Sequence, residues 1–101
     1  FLRLFLHPDG KVLRKETAGL MIQDHTPMLE AHRGIGFMVG PASLGKGCSA
    51  RAFGHSGSTG TLAWADPGTD TTFVLLTALP KNVSGSLLLH PVSDAVSGGM
   101  P

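Results

Sequence analysis

The stretch Phe53-Gly54-His55-Ser56-Gly57-Ser58-Thr59-Gly60-Thr61-Leu62-Ala63-Trp64-Ala65-Asp66-Pro67-Gly68, followed by Thr71-Thr72-Phe73-Val74-Leu75-Leu76-Thr77, decides the fold. It reads as three consecutive strands, Ala52 to Gly57, Thr59 to Ala65 and Thr71 to Leu79, with Asp66-Pro67-Gly68 placing Pro and Gly where a type II turn needs them. Three strands joined by short turns form an antiparallel meander. The unbroken run Phe73-Val74-Leu75-Leu76 suggests a last strand covered on both faces, so helices must pack on this sheet. Gly54, Gly57 and Gly60 are poor strand formers. Their presence asks for a bend in a twisted sheet, or for the close approach of another backbone or a ligand.

Toward the C-terminus, Pro91 suits a first helical turn, Asp94 lies near that end, and Gly98-Gly99 can terminate the helix. Toward the N-terminus, Ile35 to Val39 reads as a strand between Gly34 and Gly40, and Pro41 to Ala50 as a Gly-rich connection. Asp24 to Arg33 is a loop. Lys15 to Gln23 reads as a short helix with Ala18, Leu20, Met21 and Ile22 as its apolar contacts, and Lys11 to Leu13 as a short extended piece. Phe1 to Leu6 is the end of a helix stopped at His7-Pro8, because a residue before proline is pushed out of the α region. It has no cap of its own, which marks the chain as a fragment of something longer. The expected fold class is α/β of the mixed α+β kind.

Composition narrows the function. The 101 residues carry eight Lys+Arg against seven Asp+Glu, a net +1, which lacks the basic surplus of a nucleic-acid binder. One domain is the ceiling at this length, burying about two-thirds of the surface of the unfolded chain. A single cysteine, Cys48, excludes a disulfide framework and a cysteine-based zinc site. No apolar run approaches the ~18–20 residues of a membrane span. The five histidines are scattered without metal-ligand spacing, and no cofactor is expected.

Several short patterns imitate chemistry. Gly40-Pro41-Ala42-Ser43-Leu44-Gly45-Lys46 has phosphate-loop spacing, but Gly47 stands where a magnesium-binding hydroxyl is required. Ser43-Leu44-Gly45-Lys46 matches S-x-x-K, in which a lysine one helical turn away deprotonates a serine. Pro41, Gly45 and Gly47 instead argue for a loop. Gly54-His55-Ser56-Gly57-Ser58 has Ser where the last Gly of a nucleophile elbow belongs, and no helix follows it. At a strand facing a cleft, however, a backbone amide free of side-chain obstruction can donate to a developing oxyanion, which is worth a few kcal/mol of barrier.

Gly54-His55-Ser56-Gly57-Ser58-Thr59-Gly60, the Trp64-Ala65-Asp66-Pro67 turn and the Phe73 to Thr77 strand together resemble the C-terminal part of the serine β-lactamase and penicillin-binding-protein superfamily. The nearest branch is the class C-like esterases and peptidases. Val12 to Met21 is similar to the family's L-x-x-E-T-x-x-x-M helix start, and Gly34 to Phe37 to the strand opening its C-terminal sheet. The resemblance covers nearly the whole chain and makes residues 1–101 the C-terminal portion of one DD-peptidase-like domain.

The resemblance implies an acyl-enzyme hydrolase acting on a small-molecule ester, peptide or lactam. A serine of an S-x-x-K helix attacks the carbonyl, a tyrosine of a Y-x-N loop moves protons, and a K-T-G-like strand closes the site. His55-Ser56-Gly57 falls on that third motif. The mapping makes the Ser58 amide an oxyanion donor, gives His55 polarity or proton-transfer support, and has Ser56 and Gly57 shape the substrate edge. His55 replaces the lysine of orthodox β-lactamases, which lowers the expectation of antibiotic hydrolysis. The chain has no tyrosine, so Y-x-N is missing. Nucleophile and base are then expected upstream of Phe1, with that upstream part as this segment's partner and the segment alone inactive. The alternatives are a binding module built on the same sheet without chemistry, and a phosphate-binding domain using Gly40 to Gly47.

Overall fold

The structure is a computed structural model that describes residues 1–99. A four-stranded antiparallel sheet runs in the order β1 (Met38–Val39), β2 (Phe53–Gly57), β3 (Thr61–Asp66), β4 (Thr71–Leu76). Registers follow the meander: Phe53 faces Ala65, His55 faces Ala63, and Trp64 faces Phe73. Helices α1 (Leu2–Leu6) and α2 (Lys15–Ile22) cover one face. The other face is covered by α3 (Pro41–Leu44) and by a continuous C-terminal helical segment of α4 (Lys81–Ser84), a π-helical turn (Gly85–Leu89) and α5 (His90–Gly98).

Strand alternation sorts side chains into two cores. Leu62 and Trp64 of β3 point toward the C-terminal helix, where they bury with Leu44, Cys48, Ala52 and Leu89. Trp64 stacks on its cross-strand partner Phe73, with ring centroids 5.2 Å apart. Phe53 and Ala65 point the other way and bury with Phe5, Ala18 and Phe37. Phe37 meets Phe5 and Phe53 edge-on at 4.9 and 5.2 Å, the arrangement ring quadrupoles favour. On α2, Ala18, Met21 and Ile22 form the inward stripe at helical spacing, while Leu20 is exposed.

Several expectations need correction. The run Phe73 to Leu76 is not covered on both faces: Phe73 and Leu75 are half-buried, while Val74 and Leu76 are 60% and 74% exposed. A continuous apolar run cannot report periodicity, and α1 and α2 pack nearer to β2 and β3 than to β4. Ile35 to Val39 contracts to the two residues of β1, because Gly36 takes φ +82° and breaks the strand. Lys11 to Leu13 is a bend rather than an extended strand. The turn after β3 is not type II, since Gly68 is not in the positive-φ region. Instead the Asp66 carboxylate accepts from the Gly68 amide at 2.9 Å, and Asp70 takes φ +53°. The last helical segment begins at Lys81, ten residues before Pro91. Pro91 cannot donate to a carbonyl one turn back, and the helix accommodates it by widening just before it, with the His90 amide donating to the Gly85 carbonyl.

Candidate functional site

β1 is short, and that shapes the site. It pairs only with Phe53 and Gly54, so the outer edge of β2 from His55 to Gly57 has no strand partner among the described residues. Gly54 lets β2 lie close to β3: a Cβ there would overlap the Ala63 carbonyl oxygen and stand 2.6 Å from Trp64 Cα. Gly60, at φ +96°, turns the chain from β2 into β3, and its space is closed by the Leu79 carbonyl. The close approach expected at these glycines is therefore by neighbouring backbone.

All four residues singled out in the third motif lie on this edge or at its end. Alternation separates two of them. His55 points to the α1 and α2 face, beside a cavity of about 610 Å³ lined by Phe5, Met21, Phe37, Ala63 and Val74. Its Nδ1 is 2.6 Å from the Ser56 carbonyl oxygen and its Nε2 is 3.3 Å from Arg33 Nη1. Ser56 points to the opposite face, where its Oγ accepts from Lys81 Nζ at 2.7 Å. Gly57 ends the strand. Ser58 is exposed just beyond it; its carbonyl accepts from the Lys81 amide at 2.9 Å, and its own amide has no acceptor among the described residues.

Arg33 and Lys81 escape sequence reasoning, because each reaches the motif from a distant element. Arg33 arrives through an isolated bridge to Met38, which itself pairs with Gly54. Lys81 arrives at the start of α4, 25 residues after Ser56. A cation beside a strand that lacks the motif's lysine is a signal only once the fold is known.

The other patterns resolve as packing. Lys46 and Gly47, whose amides a phosphate loop would use, donate instead to Asp94 Oδ1 at 2.8 Å and Ser97 Oγ at 3.1 Å of α5. The helical turn holding Ser43 ends at Leu44, and Lys46 Nζ lies 4.0 Å from Asp94 rather than being carried on a shared helix with Ser43. His7 and His32 bond to Asp70 and Asp24, and His25 to the Leu20 carbonyl. Among the described residues no three His, Cys, Asp or Glu gather to hold a metal ion, and no helix is long and apolar enough to cross a membrane.

A meander clasped between helices, with a His-Ser-Gly-Ser edge left open beside β2, is a serine-hydrolase-related mixed α/β fold. The chain belongs to the beta-lactamase family, whose pattern it matches over residues 2–94. A solved beta-lactamase from Mycobacterium bovis superposes on it with a TM-score of 0.78 at 26% identity, covering 94% of this chain and 40% of that one. The chain thus spans about two-fifths of the length of that structure. No curated protein matches it. The family and the mixed α/β fold expected from the sequence are borne out.

Proposed function

We propose that this chain forms the third-motif wall of a serine acyl-enzyme hydrolase that cleaves a small ester, peptide or lactam, and that it is the C-terminal portion of that enzyme's single domain. The observation that carries this reading is the free edge of β2, at whose end the exposed Ser58 has an amide with no acceptor among the described residues. An unpaired amide at a strand end, fixed by backbone pairing on its other side, needs no reorganisation to receive a developing oxyanion. Ser56 Oγ, already bonded to Lys81 Nζ, offers a polar handle for the substrate on one face, and His55 with the apolar cavity offers a second on the other. The nucleophile and its base come from other parts of the polypeptide, because the chain has no tyrosine and Ser43 is not aligned with Lys46 on one helix.

The test reads the coding DNA in frame upstream of Phe1 and assays the complete product. An S-x-x-K followed by Y-x-N, with hydrolysis of p-nitrophenyl butyrate or nitrocefin, is the expected result. Ser58→Pro, which removes the amide hydrogen, should then lower kcat by about 10²–10³-fold. The 101-residue chain itself should hydrolyse neither substrate above a heat-treated control. Turnover by that chain, abolished by Ser43→Ala, would overturn the reading.

A further inference from the structure

We propose that Arg33 is a positioning residue that fixes His55 in its Nδ1–H tautomer, so that the histidine of the third motif presents a lone pair at Nε2. This rests on reading His55 as a site residue. Both partners of the ring have fixed roles. The Ser56 carbonyl, 2.6 Å from Nδ1, can only accept, and the Arg33 guanidinium, 3.3 Å from Nε2, can only donate. A single arrangement satisfies both: the proton is on Nδ1 and the lone pair on Nε2 faces Nη1. The other neutral tautomer would oppose two lone pairs at Ser56 and two donors at Arg33.

Arg33 is held for this task by its backbone. Its amide donates to Thr26 Oγ1 at 2.9 Å, its carbonyl accepts from the His25 amide at 2.8 Å, and it bridges Met38. Met38 pairs with Gly54, the residue before His55, so the guanidinium starts one strand away from the ring it meets. The chemical consequence separates this motif from one built on lysine. A lysine there can only donate; His55 in this tautomer accepts at Nε2. It therefore suits a substrate group that already carries a hydrogen, such as an amide N–H or a hydroxyl beside the scissile bond, which would take the place of Arg33 Nη1.

The tautomer can be read directly by long-range proton–nitrogen NMR on the uniformly labelled 101-residue chain, with His55→Gln identifying the resonances. The spectrum itself shows when the ring is neutral, because a cationic ring gives two similar nitrogens. Nε2 is expected as the far-downfield, pyridine-type nitrogen. In Arg33→Met, where only the Ser56 carbonyl still holds the proton on Nδ1, the Nε2–H population should rise, and Arg33→Lys should restore at least part of the Nδ1–H population. An Nε2–H ring in the unsubstituted chain, which is decided without any variant, would overturn the proposal. So would an Arg33→Met spectrum with the Nδ1–H form unchanged. Neither outcome depends on hydrolysis, so the tautomer and the proposed function can fail separately.

Discussion

Trp64 and Ser93 lie 29 residues apart and meet in the core, where the indole Nε1–H donates to Ser93 Oγ at 2.8 Å. Ser93 Oγ donates onward to the Leu44 carbonyl at 2.5 Å, so one hydroxyl ties β3 to α5 and α5 to α3. Trp64 is 1% exposed and Ser93 fully buried. Ser93→Ala leaves both a buried indole N–H and a buried carbonyl without partners. It should destabilise the chain by about 1–3 kcal/mol, read as a lower denaturation midpoint with an unchanged slope by tryptophan fluorescence. A loss under about 0.5 kcal/mol would mean that water enters to replace the hydroxyl.

The same chemical change should have opposite signs at two glycines. Gly54→Ala drives a methyl into the Ala63 carbonyl and against Trp64, across the β2–β3 ladder, where neither strand can retreat without losing its register. It should abolish the cooperative unfolding transition followed by circular dichroism. Gly19 lies on the exposed side of α2, with nothing within 4 Å of a Cβ. There alanine should stabilise by about 0.5–1 kcal/mol, since glycine is the poorer helix former. A well-folded Gly54→Ala chain would mean that β2 does not lie against β3 as described.

Cys48 sits in the core beside Trp64 and Leu62, 7% exposed. Burial, reinforced by the negative charge of Asp66, pushes its thiol from 9.0 up to about 11. The folded state therefore favours the protonated form. Stability from this group is complete below pH 9, declines as pH rises from 9 toward 11 while only the unfolded chain ionises, and is lost above that. Denaturant midpoints across pH 8–11 should fall more for the natural chain than for Cys48→Ala. At pH 8 a disulfide reagent should label Cys48 slowly in buffer and rapidly in denaturant. Equal labelling rates would show that the thiol is not enclosed.

The meander is legible because turn chemistry and alternation agree in it: Leu62, Trp64 and Asp66 share one face of β3, and Asp66-Pro67-Gly68 ends the strand. The assignment of His55, Ser56, Gly57 and Ser58 to a third motif comes from the family resemblance, which needs only contiguous residues to be seen. What cannot be read is whatever depends on a partner far along the chain. No local pattern brings Lys81 to Ser56 or Arg33 to His55; both require the register of β1 and the start of α4. The extent of the C-terminal helix is hidden because Pro91 looks like a beginning, while the π-helical turn that absorbs it has no composition of its own. The two-faced burial expected at Phe73 to Leu76 fails because a run of four apolar residues carries no phase, and packing alone decides which alternate members are buried.

That open face of β4 has a consequence for solution behaviour. β4 is the last strand of the sheet, so its outer edge is unpaired among the described residues, and Val74 and Leu76 project from it with most of their surface in water. An exposed apolar edge strand is a template for pairing with another chain. The 101-residue chain should therefore self-associate with rising concentration and bind a hydrophobic dye, both followed by sedimentation and fluorescence. Replacing Val74 and Leu76 with lysine places like charges opposite one another across any such contact and removes its apolar area. Burying one valine or leucine is worth roughly 1.5–3 kcal/mol, so the double substitution should weaken association by at least about tenfold, which corresponds to about 1.4 kcal/mol. The buried side of β4, where Phe73 and Leu75 face the C-terminal helix, is untouched, so the unfolding midpoint should stay within about 0.5 kcal/mol of the natural value. A chain that stays monomeric at all concentrations, or a double variant that associates equally well, would show that this edge does not govern its association.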